Sequence, residues 1–468
     1  MHVPRLIVAA VGACGLTAAA LAAAGPAPGP GLSGLATVTV QPGVIRFGHA
    51  QSGPPTTADC EKAYKVTCYE PGQIQQAYHL PAVYASGVTG KGATIVIVDS
   101  YGSPTIKSDL SVFDRTFGLA APPSFRIIQP EGQVPAYNPD NSDMVSWAGE
   151  TTLDVEYAHT VAPGANLLLV ETPVSETEGV HGFPQIVKAE EYVLNHHLGD
   201  VISQSFSATE QTFPSASAVQ ALRGAYQLAA KDKVTVLTAA GDSGAADVGA
   251  DQSTYYLSPV TSWPDSDPLV TGVGGTQLHF NSAGRPTAPT VWNDTYSKTV
   301  NEFADGDAGP NPLGGGGGQS VFFTRPSYQN GVKNVVGDRR GVPDISMSAS
   351  CNGSVDTYGT FGGTPAGWSP SCGTSEATPL FAGIVALADQ VAGHSLGLIN
   401  PALYQLSAQH APGVVDVTSG NNTVSFEQGG RERTVRGFTA RPGYDLASGV
   451  GTVNAEYFVR ELAFLAGH

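Results

Sequence analysis

The chain has 468 residues, with 23 Lys and Arg against 40 Asp and Glu, for a formal net charge of −17. Charged residues are 13% of it, about half the usual ~25%, and the missing basic excess excludes a nucleic-acid binder and disfavours anionic membrane surfaces. Hydrophobic residues at 41% suffice for an ordinary core, which excludes an acidic disordered chain.

Met1 to Arg5 carries one firm positive charge, an apolar run follows from Leu6 to Ala24, and the run ends in small residues before Gly25-Pro26. That order describes a secretory signal peptide over residues 1–25, so the mature protein is expected to be secreted and extracellular, with no stable membrane association. The alternative is an uncleaved anchor, since the run approaches the ~20 residues that span a bilayer. Signal cleavage takes Cys14 with it and leaves Cys60, Cys68, Cys351 and Cys372. An even number in an exported chain points to disulfides. Near-neighbour pairing, Cys60 with Cys68 and Cys351 with Cys372, is the simplest choice; the other two connectivities stay open. Residues 26–69 are rich in Gly, Pro, Thr and Ser without a periodic core pattern, and read as an N-terminal linker or short propeptide.

The texture changes near Gln73, and residues 70–468 read as one large domain. Ala93–Asp99 is a short β-branched apolar run, as for a strand buried on both faces. Similar runs recur at Asn166–Glu171, Val201–Phe206, Val234–Ala240 and Leu269–Val273. Helical spacing over Pro184–Leu198 and Ser215–Lys233 separates several of them. Strand–helix alternation predicts an α/β fold, a mostly parallel central sheet flanked by helices. Five consecutive glycines, Gly314–Gly318, suit no regular element. The helix predicted over Thr378–Val391 is apolar nearly all round and so should be fully buried.

Three stretches carry chemistry. Gly373-Thr374-Ser375 stands immediately before that buried helix, where free backbone N–H groups and the positive dipole end favour an oxyanion beside the serine; the same residues also read as an ordinary N-cap. Glu150 and Asp154 stand four apart on a helical stretch leading to His159, so both lie on one face. Two close carboxyls push their pKa values apart, giving one proton acceptor and one proton holder; a solvated acidic face is the plain alternative. Asp242, in Gly241-Asp242-Ser243-Gly244, follows a buried strand in the usual ligand position of a parallel sheet. Kept protonated it would donate to an oxyanion; the alternative is an Asx-turn.

Together these motifs resemble the sedolisins, serine-carboxyl peptidases with a subtilisin-like three-layer fold. The resemblance runs from about residue 73 to the C-terminus. Gly373-Thr-Ser375 with Pro379 is similar to the family's nucleophile motif, Glu150-x-x-x-Asp154 followed by Ala162-Pro-Gly-Ala165 to its dyad, and Asp242 to its oxyanion aspartate. Val273-Gly-Gly-Thr276, the glycine run with Pro326–Gln329, and Val342–Ser346 match more weakly. The resemblance implies an endopeptidase in which Ser375 attacks the peptide carbonyl, Glu150 takes its proton, Asp154 orients Glu150, and neutral Asp242 donates to the oxyanion. Neutral carboxyls persist best in acid, so an acid optimum is expected. It also implies one structural Ca2+ held by Asp416, Val417, Arg441, Gly443 and Asp445. The family pattern has Gly where this chain has Arg441, a tolerable change at a main-chain carbonyl contact. Sedolisins usually carry a long prodomain, and only about 45 residues separate the signal from the catalytic region here.

Two other readings compete. A subtilisin-type Asp–His–Ser peptidase would use Asp99 and Ser375, but the sole His-Gly pair, His181-Gly182, lacks the expected flanks, and His159 reads as structural. A catalytically inactive secreted binding protein on the same fold is the second. Polypeptide substrates and a monomer are expected, and Trp147 is a candidate for lining subsites.

Overall fold

The computed structural model describes residues 45–46, 52–305 and 308–467. The signal-peptide reading and Cys14 lie outside the described residues.

The central sheet has eight strands: β1 (Thr94–Ser100), β2 (Phe125–Ile128), β3 (Asn166–Thr172), β4 (Val201–Gln204), β5 (Thr235–Ala239), β6 (Thr271–Gln277), β7 (Thr290–Val291) and β8 (Ile345–Ser348). Their order is β7-β6-β5-β4-β1-β3-β2, with β8 also paired to β6. Every pairing is parallel except the edge pair β6–β7. The alternation of side chains along a strand explains why these runs are continuously apolar. Ile95 and Ile97 of β1 and Leu167 and Leu169 of β3 enter one core cluster, while Val96, Val98, Leu168 and Val170 enter another on the opposite face.

The first face is covered by α1 (Ser142–Val161), α2 (Thr374–Ala392) and α3 (Ala455–Ala466). Its cluster contains Leu153 and Tyr157, Leu380 and Phe381, and Phe458 and Leu462 from these helices. The second is covered by the helices Phe183–Asn195 and Gly224–Asp232, which contribute Phe183, Ile186, Ala225 and Tyr226. The result is the three-layer α/β fold expected, with α1 and α2 sharing one layer.

Several boundaries differ from the expectation, each for a local reason. The span 215–233 is two helices, Ala216–Ala221 and Gly224–Asp232. A Cβ at Gly224 would stand 2.2 Å from Glu191 Oε1, and Arg223 turns aside to pair with Asp267 at 2.6 and 2.8 Å. The strand predicted from Leu269 starts at Thr271, because Asp267 forms a turn with Leu269 and Val270. Helix α2 begins at Thr374 instead of Thr378, so Ser375 lies inside its first turn.

Part of the segment read as linker also differs. Thr57–Tyr64 is a helix opened by a Thr56–Asp59 capping box, and Cys68–Tyr69 pairs with Ser354–Gly359 in a second sheet. Cys60, Cys68 and Tyr69 are buried in the main core. The disulfides are Cys60–Cys68 and Cys351–Cys372, the near-neighbour pairing. Among the described residues, no helix is long and apolar enough to cross a membrane.

Candidate active site

The four proposed catalytic side chains come together beyond the C-terminal ends of the parallel strands, the usual ligand position of such sheets. Two come from α1, one from the loop after β5 and one from the N-terminus of α2.

Helix α1 is opened by Asn141, whose side chain accepts from the amides of Asp143 and Met144 at 3.0 and 3.3 Å. It is enclosed on all sides: Glu150 and Asp154 are both 0% exposed. This decides against a solvated acidic face. Ser205, just past β4, donates to Asp154 Oδ1 at 2.9 Å. Neither oxygen of Glu150, nor Oδ2 of Asp154, has a hydrogen-bond partner. Burial holds both carboxyls well above the usual range; the nearby Ser375 hydroxyl tempers the rise on Glu150, and the charge of Glu150 adds to that on Asp154. A buried pair of this kind loses one proton and keeps the other.

Gly373, with φ of +126°, caps α2 and turns the chain so that Thr374 and Ser375 occupy its first turn. Ser375 is 2% exposed and lies beside Glu150. Pro379 has no amide to donate to the Ser375 carbonyl, so it removes the helical bond that would otherwise run there.

The loop after β5 brings Asp242 to this helix end. Its Oδ1 accepts from the Thr374 amide and hydroxyl, each at 2.7 Å, and the Thr374 hydroxyl in turn accepts from the Gly241 amide at 3.2 Å. Oδ2 is buried and unpartnered. Burial pushes Asp242 up to about 7, against the lowering effect of the two Thr374 bonds. Below that pH the acid keeps a proton, and Oδ2 is the oxygen free to carry it.

The five-glycine run holds this loop from behind. Gly314 and Gly316 donate amides to the carbonyls of Asp242 and Gly241 at 2.9 and 2.8 Å. A Cβ at Gly316 would lie 1.8 Å from the Ala240 carbonyl oxygen, so only glycine allows so close an approach.

A profile of the Subtilase family matches residues 135–429. Kumamolisin from Bacillus sp. (strain MN-32) is 32% identical over 394 residues, which cover 82% of this chain and 62% of kumamolisin. Sedolisin from Pseudomonas sp. (strain 101) is 28% identical over 430 residues, covering 90% of this chain and 65% of sedolisin. The chain belongs to the sedolisin branch of the subtilase family. A solved structure of Pseudomonas sedolisin, described as a serine-carboxyl proteinase complexed with two molecules of pseudo-iodotyrostatin, matches the fold with a TM-score of 0.69. That match is 26% identical and covers 86% of this chain and 99% of that one. The chain spans somewhat less than two thirds of the length of these two relatives.

Within this sedolisin frame, the remaining candidate residues sort by what they touch. Asp99, assigned only to the rival Asp–His–Ser reading, is the last residue but one of β1 and stands by the dyad, where its charge acts on both Glu150 and Asp154. Burial pushes it up to about 7. His159 belongs elsewhere: its Nε2 faces the Ala120 carbonyl at 2.8 Å and Asp114 at 3.4 Å, and burial lowers it to about 4. His181 is exposed. Trp147 is fully buried, donates to Ser175 at 2.9 Å and packs on Phe206, so it is a core residue and not a subsite wall. The roles of Ser205 and Thr374 escaped the sequence reading, because isolated hydroxyls carry no periodic or spacing signal.

The two stretches proposed to hold calcium meet at one hydrogen bond. The Gly443 amide donates to Asp416 Oδ2 at 2.8 Å, which joins the Asp416 loop to the Arg441–Asp445 loop. Asp445 is held by the amides of Arg441, Ala447 and Ser448, each at 2.9 Å. The chemistry expected of the set, two carboxylates with the main-chain carbonyls of Val417, Arg441 and Gly443, would suit a hard cation. Among the described residues no group of three or more His, Cys, Asp or Glu side chains is placed to hold a metal ion.

Proposed function

We propose that this protein is an acid-active serine-carboxyl endopeptidase. The observation that carries the reading is the environment of Ser375: a helix N-terminus, a buried carboxyl dyad on one side and Asp242, with one unpartnered oxygen, on the other. Ser375 attacks the peptide carbonyl carbon while its proton passes to Glu150. Asp154, held by Ser205, retains the dyad's other proton and keeps Glu150 oriented. The oxyanion takes the Asp242 proton as a hydrogen bond, alongside the Ser375 amide at the positive end of α2. Collapse of the tetrahedral intermediate breaks the C–N bond, and Glu150 returns its proton to the leaving amine. Water then repeats the sequence on the acyl-enzyme. This is triad logic with a carboxylate in place of imidazole.

A calcium ion held by Asp416, Asp445 and the carbonyls of Val417, Arg441 and Gly443 would tie the C-terminal loops together, a structural role away from the chemistry. Export to an oxidising compartment suits the two disulfides.

The test is incubation of an acid-denatured protein substrate with the wild-type chain and with Ser375→Ala. Fragmentation by the wild type alone is expected. Equal fragmentation by both, or by neither at any pH, would remove the proposal.

A further inference from the structure

The N-terminal ends of the central strands, at the opposite edge of the sheet from Ser375, carry a second pair of acids. Thr94 opens β1, Val201 opens β4, and the C-terminal end of α2 reaches the same edge. A cavity of about 200 Å³ lies there, lined by Lys91 and Gly92 before β1, Asp200 before β4, and Asp389, Gly393 and His394 at the end of α2. None of these residues enters the chemistry above.

The walls of this cavity are fixed. Gln390 of α2 accepts through Oε1 from the amides of Thr89, Gly90 and Lys91 at 2.8, 2.8 and 2.9 Å. Its Nε2 donates to the Gly87 carbonyl at 3.0 Å, so the turn before β1 is clamped to the helix. Asp200 Oδ2 accepts from the Thr94 amide at 2.8 Å, and Asp389 Oδ1 from the Leu396 amide at 3.0 Å.

The buried groups are negative in character. Asp389 is 4% exposed, and its Oδ2 has no hydrogen-bond partner. Burial first, and then the charge of Asp200, hold its carboxyl well above the ordinary range. Helix α2 stops at Gly393, with φ of +79°, so the carbonyls of its last turn and its negative dipole end meet the two acids. Lys91 and His394 are the basic residues of the lining; both are exposed, and among the described residues neither acid has an ion-pair partner. A buried carboxylate beside a second one and a helix C-terminus is costly unless a cation compensates it.

The donors are hard oxygens, which suit Mg2+, Ca2+ or Mn2+ over softer metals. Ca2+ takes six to eight oxygen ligands, whereas Mg2+ keeps several waters and is held by one or two carboxylates. A water occupies about 30 Å³, so this cavity has room for an ion with several waters.

We propose that Asp200 and Asp389 form a divalent-cation site for Mg2+ or Mn2+, which ties the start of β4 to the far end of the helix that carries Ser375. The site is separate from the Asp416 and Asp445 loops and does not depend on the reaction at Ser375.

The probe is Mn2+, titrated at about pH 7 into the chelator-stripped full chain carrying Asp416→Asn, with the free ion read by electron paramagnetic resonance. About one Mn2+ per chain is expected, displaced by Mg2+. Adding Asp389→Asn, or Asp200→Asn should the first fail to fold, should weaken binding about tenfold or more, since losing a ligand costs at least as much as losing the bond that orients one. Lys91→Met removes the ammonium of the lining and should leave binding equal or tighter. No bound Mn2+, binding unmoved by either carboxamide, or binding that appears only with Lys91→Met overturns the proposal.

Discussion

Asp242 divides its work between its two oxygens. Oδ1 is fixed by the Thr374 amide and hydroxyl, so the carboxyl cannot rotate freely, and Oδ2 is left as the one place for a proton. The account therefore expects different outcomes from two substitutions. Asp242→Ala removes an oxyanion donor and should lower kcat by about 10²–10³. Asp242→Asn keeps a neutral donor that does not titrate, so it should lose less, and its activity should no longer fall as pH rises through about 7. Comparing kcat against pH for both variants checks this; equal losses with an unchanged alkaline limb would show that Asp242 does not act through its proton. Glu150, Asp154, Asp242 and Ser375 were legible in the sequence, because each sits in a short motif with a strand or helix beside it. Asp99 was visible as a strand-end acid but entered only the rival Asp–His–Ser reading; its place by the dyad shows only in the folded chain, where Ile95, Ile97 and Asp99 share the face that meets α1.

Elements set the precision of that arrangement. Helix α1 delivers two acids one turn apart into the interior, and α2 presents Ser375 and Thr374 from its first turn. The five glycines were read only as suiting no regular element. They are instead a backbone brace, bonded to the Gly241 and Asp242 carbonyls, and no sequence pattern names a brace because its partners are main-chain atoms far away in the chain. The start of α2 was also misjudged: it was expected at Thr378, but the turn at Gly373 starts the helix at Thr374, and it runs through Pro379 with the bond to the Ser375 carbonyl missing. The two C-terminal loops joined by the Gly443–Asp416 bond are the element-scale test of the metal. Calcium at about one hundred times its Kd should stabilise by about 2.7 kcal/mol, a rise of a few degrees in Tm. Asp416→Asn should abolish the rise, and its absence in the wild type would count against the site.

At the scale of the whole molecule, the acidic composition acquires a thermodynamic meaning. Many of the acids are buried and hold protons: Asp99 and Asp242 to about 7, Glu190 and Asp356 to about 8, all through burial first. In the unfolded chain the same groups ionise near about 4. Between about 4 and about 8 the folded state thus binds more protons than the unfolded one, and stability falls as pH rises through that window. His159, lowered to about 4, acts in the opposite sense between about 4 and 6.5, but it is one group against several. With only 23 bases, the chain also gains little net positive charge when its surface acids are neutralised. The Tm measured with a chelator present should be highest in acid and decline steadily towards pH of about 8. A maximum near neutrality would mean that the buried acids are ionised in the fold.

The central claim, that carboxyls and not an imidazole drive Ser375, is tested most directly by kcat/KM for a peptide substrate across the pH range, for the wild type and Glu150→Gln. The account expects a wild-type maximum in acid, a fall through about 7 as Asp242 ionises, and a loss of about 10²–10⁴ in the variant. A maximum at or above neutrality with Glu150→Gln still active would contradict it.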